Sequence, residues 1–340
     1  KKYEYNVGVD FDMFGGRLGG AIDFYMRDTK DGLWDYSVSV PPYQYGSIMA
    51  NVAEIRNFGL EVLINAIPVQ TKDFEWSTNL SYSTNKNELK SISNDEFSMS
   101  TDWFTTGHTG EPIQTTTHRV KVGCPIGDFY GLKSVGLTTD GKWLVERFDE
   151  NGKKFYDYAN NATEADWQIL GNGVPTHYLN FNNTLRYKNW DLTIGMRGAF
   201  GFQILNYQEM YYANPTIQYN VLNSAFDTHP TYEIVDGGYG IKRASKDVTI
   251  SDSQRYVSEY VEDGDYWKID NVTLGYTFNT KTWKYVKNLR LYASCLNLAT
   301  ITGYKGLDPE VRMTGLDAGT DSRDKYPTNR SFTFGVNVTF

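Results

Sequence analysis

Cysteine, histidine and long apolar runs are all scarce in this 340-residue chain, which has 2 cysteines and 4 histidines. Cys124 and Cys295 are too few for a disulfide scaffold and have no metal-ligand spacing, so they are not expected to pair. His108, His118, His177 and His229 form neither an HExxH run nor a His/Cys cluster, and there is no Walker A sequence and no GxSxG elbow. No stretch reaches the ~20 apolar residues of a spanning helix, and mean hydropathy is −0.51. Positive charge is also short: 33 Lys and Arg stand against 41 Asp and Glu, a formal charge of −8. Without a basic stripe to displace counterions, nucleic acid is excluded as a partner. Large rings are plentiful, with 26 Tyr, 18 Phe and 8 Trp, which excludes a disordered chain. The chain opens on KKYEYNVGVDF, inside a structured element and with no signal peptide, and reads as a fragment. A soluble globule and a β-barrel both remain open.

The dominant signal is alternation at period two. In NRSFTFGVNVTF, Phe332, Phe334, Val336, Val338 and Phe340 share one parity, and Ser331, Thr333, Gly335, Asn337 and Thr339 the other. LTIGMRGAFGF sets Leu192, Ile194, Met196, Phe200 and Phe202 against Thr193, Gly195, Arg197 and Gly201. The same pattern runs through NVTLGYTF and YLNFNNTLRY. Strands are expected near 3–12, 17–28, 54–67, 74–88, 177–187, 190–202, 266–278, 288–298 and 330–340. A soluble sandwich alternates too, but its outer face carries Lys and Glu. Here the polar parity is Gly, Ser, Thr and Asn, which suits a polar lumen, while the aromatic parity suits lipid. Runs of ~10–14 residues match tilted membrane-crossing strands better than sandwich strands. Tyr5, Trp76, Tyr187, Trp190, Trp267, Tyr276 and Phe340 sit near strand ends, where an interfacial girdle belongs.

Tight joins at Phe14–Gly16, Pro68–Asp73 and Lys188–Asn189, with a moderate one at 279–287, alternate with long segments near 29–53, 89–176, 203–265 and 299–328. Brief periplasmic turns and long external loops are the outer-membrane barrel pattern. Nine strands would leave an open edge in lipid, so residues outside this chain are expected to complete the wall. Residues 119–137 read as a hairpin within a loop; as a tenth strand they would permit a closed ten-stranded barrel.

Eight stretches, in order, resemble the C-terminal part of SusC/RagA-type TonB-dependent transporters of Bacteroidetes outer membranes. They are NVGVDFDMFGGRLGGAIDFYMRDTKDGL, NVAEIRNFGLEVLI (with Ala53 at the usual second glycine), FEWSTNLSYSTNKNEL, VGCPIGDFYGLKSVG, ILGNGVPTHYLNFNNTLRYKNWDL, VEDGDYWKIDNVTLGYTF, LYASCLNLATITGYKGLDPEV and NRSFTFGVNVTF. The Asn297–Glu310 run is the most specific. The resemblance implies an all-β fold: the C-terminal nine or ten strands of a 22-stranded transmembrane barrel with long extracellular loops. It implies that the plug and the TonB-contacting segment belong to an N-terminal part absent from this chain. Implied partners are a SusD-like lipoprotein lid, TonB, outer-membrane lipid and the rest of the barrel and plug, in a dimer of transporter–lipoprotein pairs. The implied activity is import of oligosaccharides or oligopeptides across the outer membrane, with no cofactor and no catalysis.

Loop rings interleaved with Asp, Asn and Gln make binding candidates of Trp34, Tyr36, Tyr43, Tyr45, Trp103, Phe104, Trp143 and Trp167, because rings stack on sugars or peptides while amides and carboxylates read their polar groups. Phe340 is the expected barrel-assembly signal. Acidic groups at Asp140, Asp149 and Glu150, and at Glu259, Glu262, Asp263 and Asp265, lack the calcium-loop pattern and read as solvated loops. Two other functions stay open: a self-contained ten-stranded surface protease using His229 with Asp227, and a structural scaffold barrel of a surface complex.

Overall fold

The computed structural model describes residues 1–37, 40–41, 44–95 and 101–340, without the side chains of residues 35–37. Nine strands follow one another in chain order across one antiparallel sheet, and a tenth, short strand, residues 86–91, pairs with residues 54–58 off that path. The nine are β1 (Lys2–Met13), β2 (Leu18–Ser37), β3 (Ser47–Gln70), β4 (Phe74–Thr84), β5 (His177–Tyr187), β6 (Trp190–Phe200), β7 (Tyr266–Thr277), β8 (Asn288–Thr302) and β9 (Ser331–Thr339). β1 and β9 each have one neighbour, so the wall is open at both edges. Residues 116–121 and 128–131 pair with each other in a separate four-stranded sheet and do not enter the wall. A ten-stranded closed barrel is therefore not formed. Among the described residues no helix is long and apolar enough to cross a membrane.

Register carries the alternation across the whole sheet. On the outer face Val7 opposes Phe24, which opposes Leu60. Leu80 opposes Phe181, which opposes Met196, and Phe334 opposes Ala293. Its apolar groups are uncovered, most at the edge strands, where Val7 is 75% exposed, Phe334 82% and Val336 60%, while Leu80, Phe181 and Met196 between them are half-buried. A continuous apolar surface of this extent requires a partner, and a lipid bilayer supplies one without specific contacts. The one polar outer-face residue in the middle of β5, Asn183, accepts the Trp76 indole N–H at 3.0 Å, which satisfies its carbonyl away from water.

The inner face is small and polar. Asn65, Asn79, Asn182, Gly195 and Asn271 form one row across β3 to β7. Ser77, Thr184, Thr193, Thr273, Ser294 and Thr333 form a second, from β4 to β9. Cross-strand hydrogen bonds tie these rows together: Asn79 donates to Asn65 at 2.7 Å, and the Thr273 and Ser294 hydroxyls lie 2.8 Å apart. Such pairs stabilise a sheet by a few tenths of a kcal/mol to about 1 kcal/mol each. At the short-turn end, the Arg290 Nε donates to Asp191 at 3.0 Å and Arg186 meets Glu75 at 3.4 Å.

At the opposite end the long connections fold into a layer with its own core. Phe129, Trp143, Met210, Tyr211, Tyr256 and Tyr260 are buried together there. Short strands build this layer: 103–108, 116–121, 128–131 and 168–172 in one sheet, 134–137, 143–148 and 154–158 in another. Helix α1 (Tyr207–Tyr212) enters the core behind Asn206, whose side chain accepts the Glu209 amide. β2 and β3 extend beyond their alternating portions to reach the layer, where Ala50 and Val52 are buried beside Trp34.

Candidate functional site

The last long connection is clamped to the inner face of the wall. Lys268 of β7, only 1% exposed, reaches Asp308 at 3.3 Å and also meets Glu310. Glu310 in turn accepts from Arg197 of β6 and from the Tyr266 hydroxyl at 3.3 Å. Asp308 also takes the Glu310 amide at 2.9 Å and the Thr328 hydroxyl. Burial alone would raise the Asp308 pKa, but Thr328, that amide and Lys268 together hold it below the usual carboxylate value. Nearby, the Tyr304 hydroxyl donates to buried Asp321 at 2.7 Å, and burial pushes both of these pKa values up. The Asn297–Glu310 run singled out in the sequence thus runs from the end of β8 into the clamped connection.

Two adjoining clefts open in the layer. The larger, 1020 Å³, is walled by Gln114, Thr163, Trp167, Tyr219, Gln254 and Arg255, among others. The second, 840 Å³, shares Pro112, Tyr219 and Gln254 with it and adds Tyr211, Tyr212 and Arg323. The Arg323 guanidinium lies over the Tyr211 ring, 4.0 Å from its centre. Tyr207, in the core behind them, is raised by burial to about 12 and stays protonated as a hydrogen-bonding group. An aromatic row leads toward the larger cleft. Trp103 meets Tyr130 edge-on at 6.1 Å, Tyr130 meets Trp167 at 5.6 Å, and the Arg119 guanidinium stacks on Tyr130 at 4.7 Å. Apolar faces with convergent amides and guanidinium groups are the composition of a small-ligand site.

The candidates from the sequence are distributed unevenly over this layer. Trp103 and Trp167 come together through Tyr130. Trp34 and Phe104 pack edge-on at 5.2 Å on another face. Trp143 is 1% exposed in the core, against Tyr260. Tyr45 is 75% exposed. Tyr36 has its backbone in β2 opposite Ile48, but its side chain and the whole of Tyr43 lie outside the described residues. Tyr130, Arg119, Tyr211, Tyr219, Gln254 and Arg323 were not singled out from the sequence. Tyr130 alone had a signal, its place in the VGCPIGDFYGL stretch.

His229 is held by backbone hydrogen bonds to Val248 in both directions, and its ring lies edge-on to Trp143 at 6.3 Å. Several of the acidic groups are engaged locally. Asp149 accepts the amides of Asn151 and Lys153, and Glu262 accepts from Asn206 and from the Lys305 amide. Cys124 and Cys295 are both free thiols.

A long-stranded open wall with one apolar and one polar face, crowned on one side by a folded layer, defines a portion of a transmembrane β-barrel. No protein-family model matches the chain. It is 30% identical over 361 residues to the TonB-dependent receptor P3 of Formosa agariphila, an alignment spanning 99% of this chain and 34% of that protein. It is 29% identical to the TonB-dependent receptor SusC of Bacteroides thetaiotaomicron, over 100% of this chain and 32% of the other. Its fold matches the RagAB peptide importer in the closed-closed state with a TM-score of 0.79 at 19% identity, covering 100% of this chain and 35% of that one. The open-open state of that importer matches at 0.76. Over its whole length the chain is thus homologous to TonB-dependent receptors, SusC among them, which are proteins of the bacterial outer membrane. It spans about a third of the length of the curated relatives it matches.

Proposed function

We propose that this chain forms part of a TonB-dependent importer that takes oligosaccharides or oligopeptides across the outer membrane. The observation that carries the reading is the clamp on the inner face. Arg197 and Lys268, both wall residues, hold the last long connection, whose Arg323 lines the second cleft, over the polar lumen side rather than the lipid side. Solute caught by Trp103, Tyr130, Trp167 and Tyr219 then stands above a passage lined with Asn, Ser, Thr and Gly. The remaining barrel wall, a plug and the TonB contact come from other parts of the protein. A SusD-like lipoprotein closes the layer from outside, in a dimer of such pairs. Energy is delivered through TonB in this reading. The chain has no catalytic role in this reading. Phe340, 75% exposed on the apolar parity, serves as the assembly signal.

The test is uptake of labelled oligosaccharide and oligopeptide pools by cells carrying the intact protein or its Trp167→Ala variant. One solute class should be imported, import should stop with a proton ionophore, and the variant should need about tenfold more solute, the scale of one aromatic contact. Import that survives the ionophore would contradict TonB coupling. Equal uptake by cells lacking the protein would end the transport reading.

A further inference from the structure

The short-turn end of the wall carries charge of the opposite sign to the chain as a whole. Its four turns, residues 14–17, 71–73, 188–189 and 278–287, hold six cations and one carboxylate, Asp73, in a chain of formal charge −8. Arg17 is occupied, donating to the Ile67 and Pro68 carbonyls. Lys72, Lys188, Lys281, Lys284 and Lys287 are all exposed. Among the described residues none of these five joins an ion pair; the pairs at this end, Arg186–Glu75 and Arg290–Asp191, belong to the inner face. Three of the five lie within seven residues of each other on 281–287, where mutual repulsion is unfavourable unless an anion is present.

Their surroundings say which anion. Tyr187 and Trp190, 52% and 48% exposed, stand on the apolar outer parity at the same end. Trp190 packs on Tyr276 at 4.8 Å, and Tyr276 on Phe278 at 4.9 Å. Trp283 and Tyr285 are 48% and 73% exposed. Lys188 lies over Tyr187 at 5.4 Å and Lys284 over Tyr285 at 5.3 Å. Lys287 precedes Leu289 by two residues, and Leu289 opposes outer-face Val338, so parity puts Lys287 on the outer face as well. Rings at this level sit at the boundary between acyl chains and head groups, and lysine stems run along them to bring the ammonium to phosphate.

We propose that Lys188, Lys281, Lys284 and Lys287 form a seat for the head group of an anionic phospholipid in the periplasmic leaflet, with Trp190, Tyr276, Trp283 and Tyr285 setting its depth. The cluster is continuous with the apolar band, and Lys287, Tyr187, Trp190 and Tyr276 share its outer parity, which makes a lipid, rather than solute or plug, the occupant.

The test uses the intact protein in nanodiscs of phosphatidylethanolamine with and without phosphatidylglycerol, with retained lipid counted by native mass spectrometry. A basic residue near the surface is worth about fivefold in affinity for anionic lipid. The Lys281→Gln/Lys284→Gln/Lys287→Gln variant should therefore bind phosphatidylglycerol about a hundredfold more weakly and keep its phosphatidylethanolamine. A charge-matched control in the external layer, Lys153→Gln/Lys242→Gln/Lys246→Gln, should bind both as before. Unchanged phosphatidylglycerol retention in the rim variant, or equal loss of both lipids, overturns the proposal. Should the triple variant fail to fold, Lys284→Gln and a salt titration of the unmodified protein decide. Phosphatidylglycerol binding must weaken with Lys284→Gln and with rising salt, and indifference to both overturns the seat.

Discussion

Replacing Glu310 by alanine isolates the clamp between wall and layer. The substitution strips Arg197 and the Tyr266 hydroxyl of an acceptor and leaves Lys268 with Asp308 at 3.3 Å as its remaining carboxylate. Removing one partner of a fully buried ion pair costs about 3–5 kcal/mol. The Glu310 side chain keeps 24% of its exposure and Lys268 keeps one partner, so the lower end applies, about 3 kcal/mol. At about 1.4 kcal/mol per tenfold, that is a hundredfold shift in the opening equilibrium of the connection. Hydrogen exchange on the intact protein reads it directly, because local opening sets amide protection. Amides of 308–321 should exchange about a hundredfold faster while β5 and β6 keep their protection. Glu310→Gln, which keeps an acceptor oxygen, should lose only about tenfold. Acceleration below about threefold in the alanine variant, or loss spread evenly through β6 and β7, would refute the clamp.

Two further outcomes follow from the layer. Trp143→Ala empties the middle of its core and should cost about 3–5 kcal/mol. Near-ultraviolet dichroism of the layer should then melt at a lower temperature while the far-ultraviolet β signal of the wall persists. His118 is fully buried, with its Nε2 at 2.9 Å from the Ala318 carbonyl, and burial holds its pKa below the ordinary 6.5 against that carbonyl and Asp317. The unfolded imidazole takes up a proton near pH 6.5 before the buried one does. Stability of the 116–121 strand against the 318 loop is therefore full above that pH and falls as the pH drops through it toward the folded value. Urea midpoints followed by tryptophan fluorescence should fall between about pH 7.5 and about pH 5.5, and His118→Phe should flatten that slope.

The all-β membrane fold was legible in the sequence because period two is a local property: Phe332 to Phe340 alternate whatever lies elsewhere. The layer was not, for two physical reasons. Its strands run only two to six residues, too short for a period to show. Its core joins residues far apart in sequence, such as Phe129, Trp143, Met210 and Tyr256. Composition gives loop tryptophans one face, yet Trp143 is sealed in that core while Trp167 lines a cleft. The extra length of β2 and β3 was hidden for a related reason. Once the hairpin leaves the membrane band, Trp34, Ala50 and Val52 pack against the layer, and the alternation that marks a two-faced strand ends there. The Asn297–Glu310 run stood out by resemblance, but that its carboxylates grip Lys268 and Arg197 on β7 and β6 needed the register of the wall.

The central claim is that one face of the wall meets acyl chains. Single cysteines along β9 of the intact protein, free of its native thiols and set in a bilayer, test this residue by residue with a spin label and two relaxing agents, lipid-soluble oxygen and a water-soluble nickel chelate. Labels at Phe332, Phe334, Val336 and Val338 should favour oxygen and those at Thr333, Gly335 and Asn337 the chelate, alternating at every step. Equal access of the chelate to both parities would contradict it.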